Sequence, residues 1–89
     1  MKVEARRADG KRMVIDIDDE VVEILKKQPC EYRVSTDCYG TVIVPIELKP
    51  PKNDDYVVDL GGKLLFISST QATWLRKITL EMFRASCLI

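Results

Sequence analysis

Apolar side chains recur at helical spacing through the last twenty residues of the chain, and this pattern constrains the fold more than any other. Leu75, Ile78, Met82 and Ala85 follow one another at intervals of three or four residues. Such spacing is typical of a helix that packs one face on its own domain. The sequence therefore predicts one helix from Thr70 to Ile89.

The start of this helix has its own signature. Ser68 is followed three residues later by Gln71, which matches a capping box in which each side chain bonds the other's backbone N–H. Trp74 comes soon afterwards. Because the capping box would fix this first turn on the domain, we expect Trp74 to be a core anchor beneath the sheet.

Other apolar residues widen the helical stripe beyond what one small core can cover, and Arg84 lies beside them. Aromatic and aliphatic side chains next to an arginine are typical of protein interfaces. The sequence therefore predicts a contact with a protein partner or a second copy of the chain through Leu80, Phe83, Arg84, Cys87, Leu88 and Ile89. The alternative is that the same face only packs on the core.

The N-terminal segment predicts a β-hairpin. Val3 and Ala5 alternate with polar residues before a turn that contains Gly10. After the turn, Met13, Ile15 and Ile17 alternate with Arg12, Val14 and Asp16. A three-residue loop with a left-handed glycine pairs Ala5 with Met13 and Val3 with Ile15. This register places all four apolar residues on one face, whereas a two-residue loop would mix the faces.

A helix is predicted directly after this hairpin. Asp18 is a favourable N-cap, and Val21, Ile24 and Leu25 supply an apolar face. Pro29 ends the helix.

Four more strands are predicted between the two helices, over Cys30 to Ser35, Thr41 to Leu48, Tyr56 to Leu60, and Lys63 to Ser68. Pro45 lacks a backbone N–H, so the second of these strands is expected at an edge or a bulge. The last two are joined at Gly61-Gly62 and carry apolar residues on both faces, so they are expected in the middle of the sheet.

The predicted element order is ββαββββα, within a single domain over residues 1–89. We expect an α+β fold in which two helices pack on one face of a mainly antiparallel or mixed sheet.

The opening hairpin, its glycine bulge and the following helix carry a further pattern at Val3, Ala5, Gly10, Lys11, Met13, Ile15 and Ile17. These positions resemble the first third of the ubiquitin-like β-grasp fold. The chain departs from that family in its last part, where it ends Cys-Leu-Ile in place of the conjugating Gly-Gly. The resemblance therefore implies a local structure and no function.

Catalytic and cofactor motifs are missing from the sequence. Histidine is absent, which excludes Ser-His-Asp and Cys-His arrangements. Cys30 and Cys38 have seven residues between them, which does not suit a zinc site. Gly61-Gly62 leads into a strand, whereas phosphate-cradling loops lead into a helix. We predict a non-enzymatic protein with no cofactor.

Two charged clusters offer alternative functions. Arg6, Arg7, Lys11 and Arg12 surround the hairpin tip, so a nucleic-acid or phosphate contact is the first alternative. No aromatic residues interleave with these cations to stack on bases, and nucleic acid is therefore not the favoured partner. The second and weaker alternative is a cation site in an acidic loop, at Asp54, Asp55 and Asp59.

The whole-chain composition bears on location. Fourteen basic residues balance fourteen acidic ones, so no net charge draws the chain to an acidic membrane. The sequence contains no apolar run as long as the roughly 20 residues of a membrane span and no signal-peptide pattern. Three widely spaced cysteines suit reduced thiols. We predict a cytoplasmic protein with no membrane partner.

Overall fold

A computed structural model describes residues 1–37 and 40–83 of the chain. The strands are β1 (Lys2–Arg7), β2 (Arg12–Ile17), β3 (Tyr32–Asp37), β4 (Gly40–Pro45), β5 (Tyr56–Asp59), β6 (Leu64–Ile67) and β7 (Lys77–Ile78). The helices are α1 (Asp19–Lys27) and α2 (Ser69–Ala72), and a 3₁₀ turn covers Leu80–Phe83.

The seven strands form one mixed sheet in the order β4-β3-β6-β5-β1-β2-β7. The pairs β3/β6 and β2/β7 are parallel, and the other neighbours are antiparallel. Two sequence predictions are confirmed here. The hairpin of β5 and β6 is central, and the strand that contains Pro45 is an edge strand.

The C-terminal segment connects the two edges of this sheet. Strand β7 pairs with β2 at one edge, and the 3₁₀ turn that follows contacts β4 at the opposite edge. The sheet is therefore curled around a single main core, to which strands and α1 both contribute.

The opening hairpin has the predicted register. Ala5 pairs with Met13 and Val3 with Ile15, and Gly10 adopts a positive φ of 92°. Ala5 and Ile15 are completely buried. Local alternation and one glycine turn were sufficient to determine this register, because a slip by one residue would expose the buried face.

The predicted fold, with two helices on one face of the sheet, is wrong. Among the described residues, α1 alone is longer than about one helical turn, because α2 ends after four residues and β7 forms where the long helix was expected. Thr73, Ile78 and Thr79 are β-branched, which lowers helix propensity in this segment. Ile78 is completely buried in β7 beside Ile17. This segment therefore forms a buried strand, although its apolar residues have helical spacing.

The predicted capping box is also absent. Ser68 precedes α2 but makes no side-chain capping bond. Gln71 is 1% exposed, and its side-chain carbonyl accepts a hydrogen bond of 2.6 Å from the Thr41 hydroxyl. The side-chain amide of Gln71 therefore links α2 to β4 and does not cap the helix.

The apolar stripe contributes to the core through this different backbone path. Leu75 and Ile78 are buried and Met82 packs against the core, as predicted. Ala85 lies outside the described residues. The prediction for Trp74 is wrong, because 59% of its surface is exposed.

The other face of the sheet is covered near β4. Val42 and Val44 are buried there, apart from the main core. The loop over residues 46–55 returns across this face and ends at Asp55, which pairs with Arg33 of β3. This loop creates a small second layer of the structure.

Candidate functional site

The basic hairpin tip is largely neutralised by neighbouring carboxylates. The Nε of Arg6 lies 2.7 Å from Glu4, and Arg12 approaches the same carboxylate at 3.9 Å. The Arg7 side chain and the Lys11 backbone N–H both donate hydrogen bonds to the Asp9 carboxylate. These bonds lower the pKa of Asp9 to about 2. The tip is therefore not a free positive patch, although the Lys11 side chain is exposed.

The three acidic residues of the predicted cation site do not converge. The Asp55 carboxylate is buried against Arg33, and Asp54 accepts a hydrogen bond of 2.8 Å from the Ser69 hydroxyl. Asp59 accepts one from the Gly62 backbone N–H. Among the described residues there is no group of three or more His, Cys, Asp or Glu side chains that could hold a metal ion.

The predicted C-terminal interface is only partly described. Leu80 is 39% exposed, whereas Phe83 is half-buried and makes an edge-to-face contact with Tyr32, with ring centroids 6.1 Å apart. Arg84, Cys87, Leu88 and Ile89 lie outside the described residues. Phe83 therefore contributes to the core, and Leu80 alone of the described members is exposed.

An open strand edge lies elsewhere, along β2. The backbone N–H of Ile17 donates to Met1 on the β1 side, whereas the N–H of Asp16 donates to the Arg76 carbonyl on the β7 side. Because successive residues of a strand point their backbone groups to opposite edges, the N–H and C=O of Val14 face the β7 side. In the described part of the chain β7 pairs only with Asp16 and Ile17. No strand within residues 1–37 and 40–83 therefore pairs with the β7 side of β2 over residues 12–15.

Two large apolar side chains are exposed at or near this edge. Val14 is 60% exposed on the outer face of β2. Trp74 is 59% exposed and lies two residues before Arg76, the residue whose carbonyl bonds β2. No hydrogen bond of the Trp74 indole is found within residues 1–37 and 40–83. We call the unpaired edge at residues 12–15 together with Trp74 the β2-edge surface.

Cationic side chains lie around the β2-edge surface, and the carboxylate of Glu4, opposite Val14 in β1, already contacts Arg6 and Arg12. Lys11, Arg12 and Arg76 are exposed there. The nearby carboxylate of Asp16 is bonded at 3.0 Å to the amino group of Met1, and this contact raises the pKa of the amine and lowers that of the carboxyl. The surface thus offers the exposed cations of Lys11 and Arg76, an apolar side chain and unpaired backbone groups together, which is the chemistry needed to bind an extended acidic segment.

Sequence reasoning missed both components of this surface. Val14 carried a signal, since it is an apolar residue on the otherwise polar face of the hairpin formed with Arg12 and Asp16. Trp74 carried none that alternation could reveal, because its exposure depends on where α2 ends.

The comparisons with known proteins find no match for this chain among protein families, curated proteins or solved structures. No helix in the described ranges is long and apolar enough to cross a membrane.

Proposed function

We propose that the protein is a non-enzymatic interaction domain that binds an extended segment of another protein along the β2-edge surface. The observation that carries the proposal is the unpaired backbone edge of β2 at an apolar side chain, Val14, that is 60% exposed. Open edges bind partners by strand addition, in which main-chain hydrogen bonds supply affinity and side chains supply specificity.

The chemistry of the surface defines the partner. An apolar residue of the partner would pack on Val14 or Trp74, because exposed tryptophan is enriched among the residues that dominate binding energy. Acidic residues beside it would face Lys11 and Arg76, both of which are exposed. The expected partner is thus an extended, acidic protein segment with at least one apolar anchor.

This proposal retains the interaction function expected from the sequence and moves it to another surface. The helix on which the earlier expectation depended does not form, since α2 is only four residues long. Nucleic-acid binding through the hairpin tip loses support because Arg6, Arg7 and Arg12 already contact carboxylates. We also propose a cytoplasmic location, on the basis of three widely spaced cysteines.

Site-specific photo-crosslinking in cells tests the proposal. A photoreactive amino acid replaces Val14 in the full chain, and the matched control carries it at Glu23, an exposed position of α1. We expect an adduct with another protein from position 14 and none from position 23.

Variants then test how the partner binds. Val14→Pro removes an outward backbone donor and Trp74→Ser removes the indole, so each should weaken binding of the purified partner, while Glu23→Gln should not. An adduct between two copies of this chain would identify self-association in place of a different partner. The proposal is refuted if binding is unchanged in both Val14→Pro and Trp74→Ser.

A further inference from the structure

A polar cavity lies on the face of β3 that the 46–55 loop covers. It is separate from the β2-edge surface. It has a volume of about 310 Å³ and lies between β3, the 46–55 loop and the start of α2. This volume is at the low end of the range for small-molecule sites. Its size and lining suit a compact polar ligand.

Three cationic side chains line the cavity, namely Arg33, Lys49 and Lys52. No carboxylate of the described residues lies within ion-pair distance of the Lys49 or Lys52 ammonium groups, in contrast to Arg33, which is paired with Asp55. Lys49 is half-buried and Lys52 is exposed. Neither ammonium group makes an ion pair with a described residue, although Lys52 lies near enough to the Asp54 carboxylate to interact with it electrostatically.

Hydroxyl groups supply the other polar lining, from Ser35, Thr36, Ser68 and Thr70. The guanidinium of Arg33 is fixed in the wall, because its Nε and one terminal nitrogen bond Asp55 and the other terminal nitrogen lies 3.4 Å from the Ser35 hydroxyl. Asp54 lies near the cavity without lining it, and its carboxylate bonds Ser69. The polar side chains that line the cavity are therefore ammonium, guanidinium and hydroxyl groups, each of which can donate hydrogen bonds.

The loop that carries the lysines is stiffened by its sequence. Pro50 and Pro51 lie between Lys49 and Lys52, and Pro50 also lines the cavity. Proline restricts the backbone, so less conformational entropy is lost when a ligand is bound. The two ammonium groups are thus presented on a restricted scaffold.

We infer that this cavity binds a phosphate group, either as inorganic phosphate or as the phosphate of a small monoester. Lysine ammonium groups and hydroxyls are common phosphate partners, and a phosphate offers several strong acceptor oxygens to match them. The inference does not depend on the β2-edge surface, since no residue is shared between the two.

The test is a titration of the full chain at pH 7 with inorganic phosphate, and separately with methyl phosphate, at ionic strength held constant with sodium chloride. Amide NMR shifts of Ser35, Thr36 and Thr70 report binding. We expect saturable shifts at these residues. Tighter binding of methyl phosphate would identify a monoester site, and equal or tighter binding of inorganic phosphate would identify a site for the free ion; either result supports the inference.

Paired variants separate a site from general charge attraction. Lys49→Gln with Lys52→Gln should weaken phosphate binding by about tenfold, since two charge-assisted hydrogen bonds are lost at a partly exposed site. The control, Lys26→Gln with Lys27→Gln, removes the same charge from the exposed lysines of α1 and should leave binding unchanged. Shifts that never saturate, or an equal loss in both double variants, would overturn the inference.

Discussion

Arg33 and Asp55 form a bidentate ion pair inside the protein, with nitrogen–oxygen distances of 2.6 and 2.9 Å. Their side chains are only 5% and 1% exposed. The hydrogen bonds that Arg33 donates to the Asp55 carboxylate raise the pKa of the Arg33 guanidinium. This pair joins β3 to the end of the 46–55 loop and so holds the second layer of the structure on the sheet.

Breaking this pair from one side should destabilise the protein strongly. We expect Arg33→Met to lower the free energy of unfolding by about 3–5 kcal/mol, because Asp55 would be left buried without a partner. Urea unfolding measures this change. Arg6→Met is the control, since the Arg6–Glu4 pair is exposed and its loss should have little effect.

The double variant Arg33→Met with Asp55→Leu gives a second check on the same pair. Replacing both charges removes the unpaired carboxylate, so the double variant should be more stable than Arg33→Met alone. A double variant that is less stable than the single would contradict the assignment of the cost to a buried unpaired charge.

Acid should weaken the fold through carboxylates whose pKa values are lowered in the folded state. Hydrogen bonds from Arg7 and Lys11 lower the pKa of Asp9 from 3.8 to about 2, and contacts with Arg6 and Ser69 lower those of Glu4 and Asp54. Such groups contribute stability above their unfolded pKa values, and this contribution is lost as pH falls through the folded values.

The measurement is urea unfolding at a series of pH values between about 5 and 2, the interval between the ordinary and lowered carboxyl pKa values. The free energy of unfolding should decline as pH falls across this window. In Asp9→Asn, the decline below pH 3.8 should be shallower than in the wild-type protein. An Asp9→Asn profile that is parallel to the wild-type profile throughout would contradict the role of Asp9.

Trp74 offers a direct check on the C-terminal fold, because it is the only tryptophan in the chain. With 59% of its surface exposed, its fluorescence should be quenched by acrylamide nearly as well as that of the unfolded protein. Strong protection from quenching in the folded protein would instead support a core tryptophan in a long helix.

The outcome for Trp74 illustrates what sequence could and could not reveal. The hairpin register and the edge position of Pro45 were predictable because each depends on local alternation or on one missing donor. The end of α2 could not be predicted, because Ile78 fits both the apolar stripe of a helix and a buried strand position beside Ile17. Only the long-range parallel pairing of β2 with β7 separates these two possibilities.

The candidate sites follow the same division. The pairing of Arg33 with Asp55 joins residues that are 22 apart in sequence, so no local pattern indicated that Asp55 was already engaged. The sequence shows that Val14 is apolar at an otherwise polar position. Whether Val14 lies at an open edge depends on β7, which is only two residues long. Residue types indicated which chemistry was present, and tertiary structure determined which groups remained free.

Proline substitution along β2 should distinguish its two edges. The backbone N–H of Val14 faces the open edge, whereas that of Met13 faces β1, by the alternation that Asp16 and Ile17 define. Met13→Pro should therefore lower the free energy of unfolding by about 3 kcal/mol or more, and Val14→Pro by much less. Thermal or urea unfolding of both variants provides the comparison, and equal losses would contradict the proposed orientation.

Amide hydrogen exchange of the isolated chain tests the central claim, an open β2 edge, most directly. The Val14 amide should exchange about 100-fold or more faster than those of Met13 and Ile15, which face β1. Addition of a protein segment that crosslinks at position 14 should then slow the exchange of the Val14 amide. Equal protection of Val14 and its two neighbours in the isolated chain would mean that the edge is already paired, and would contradict the account.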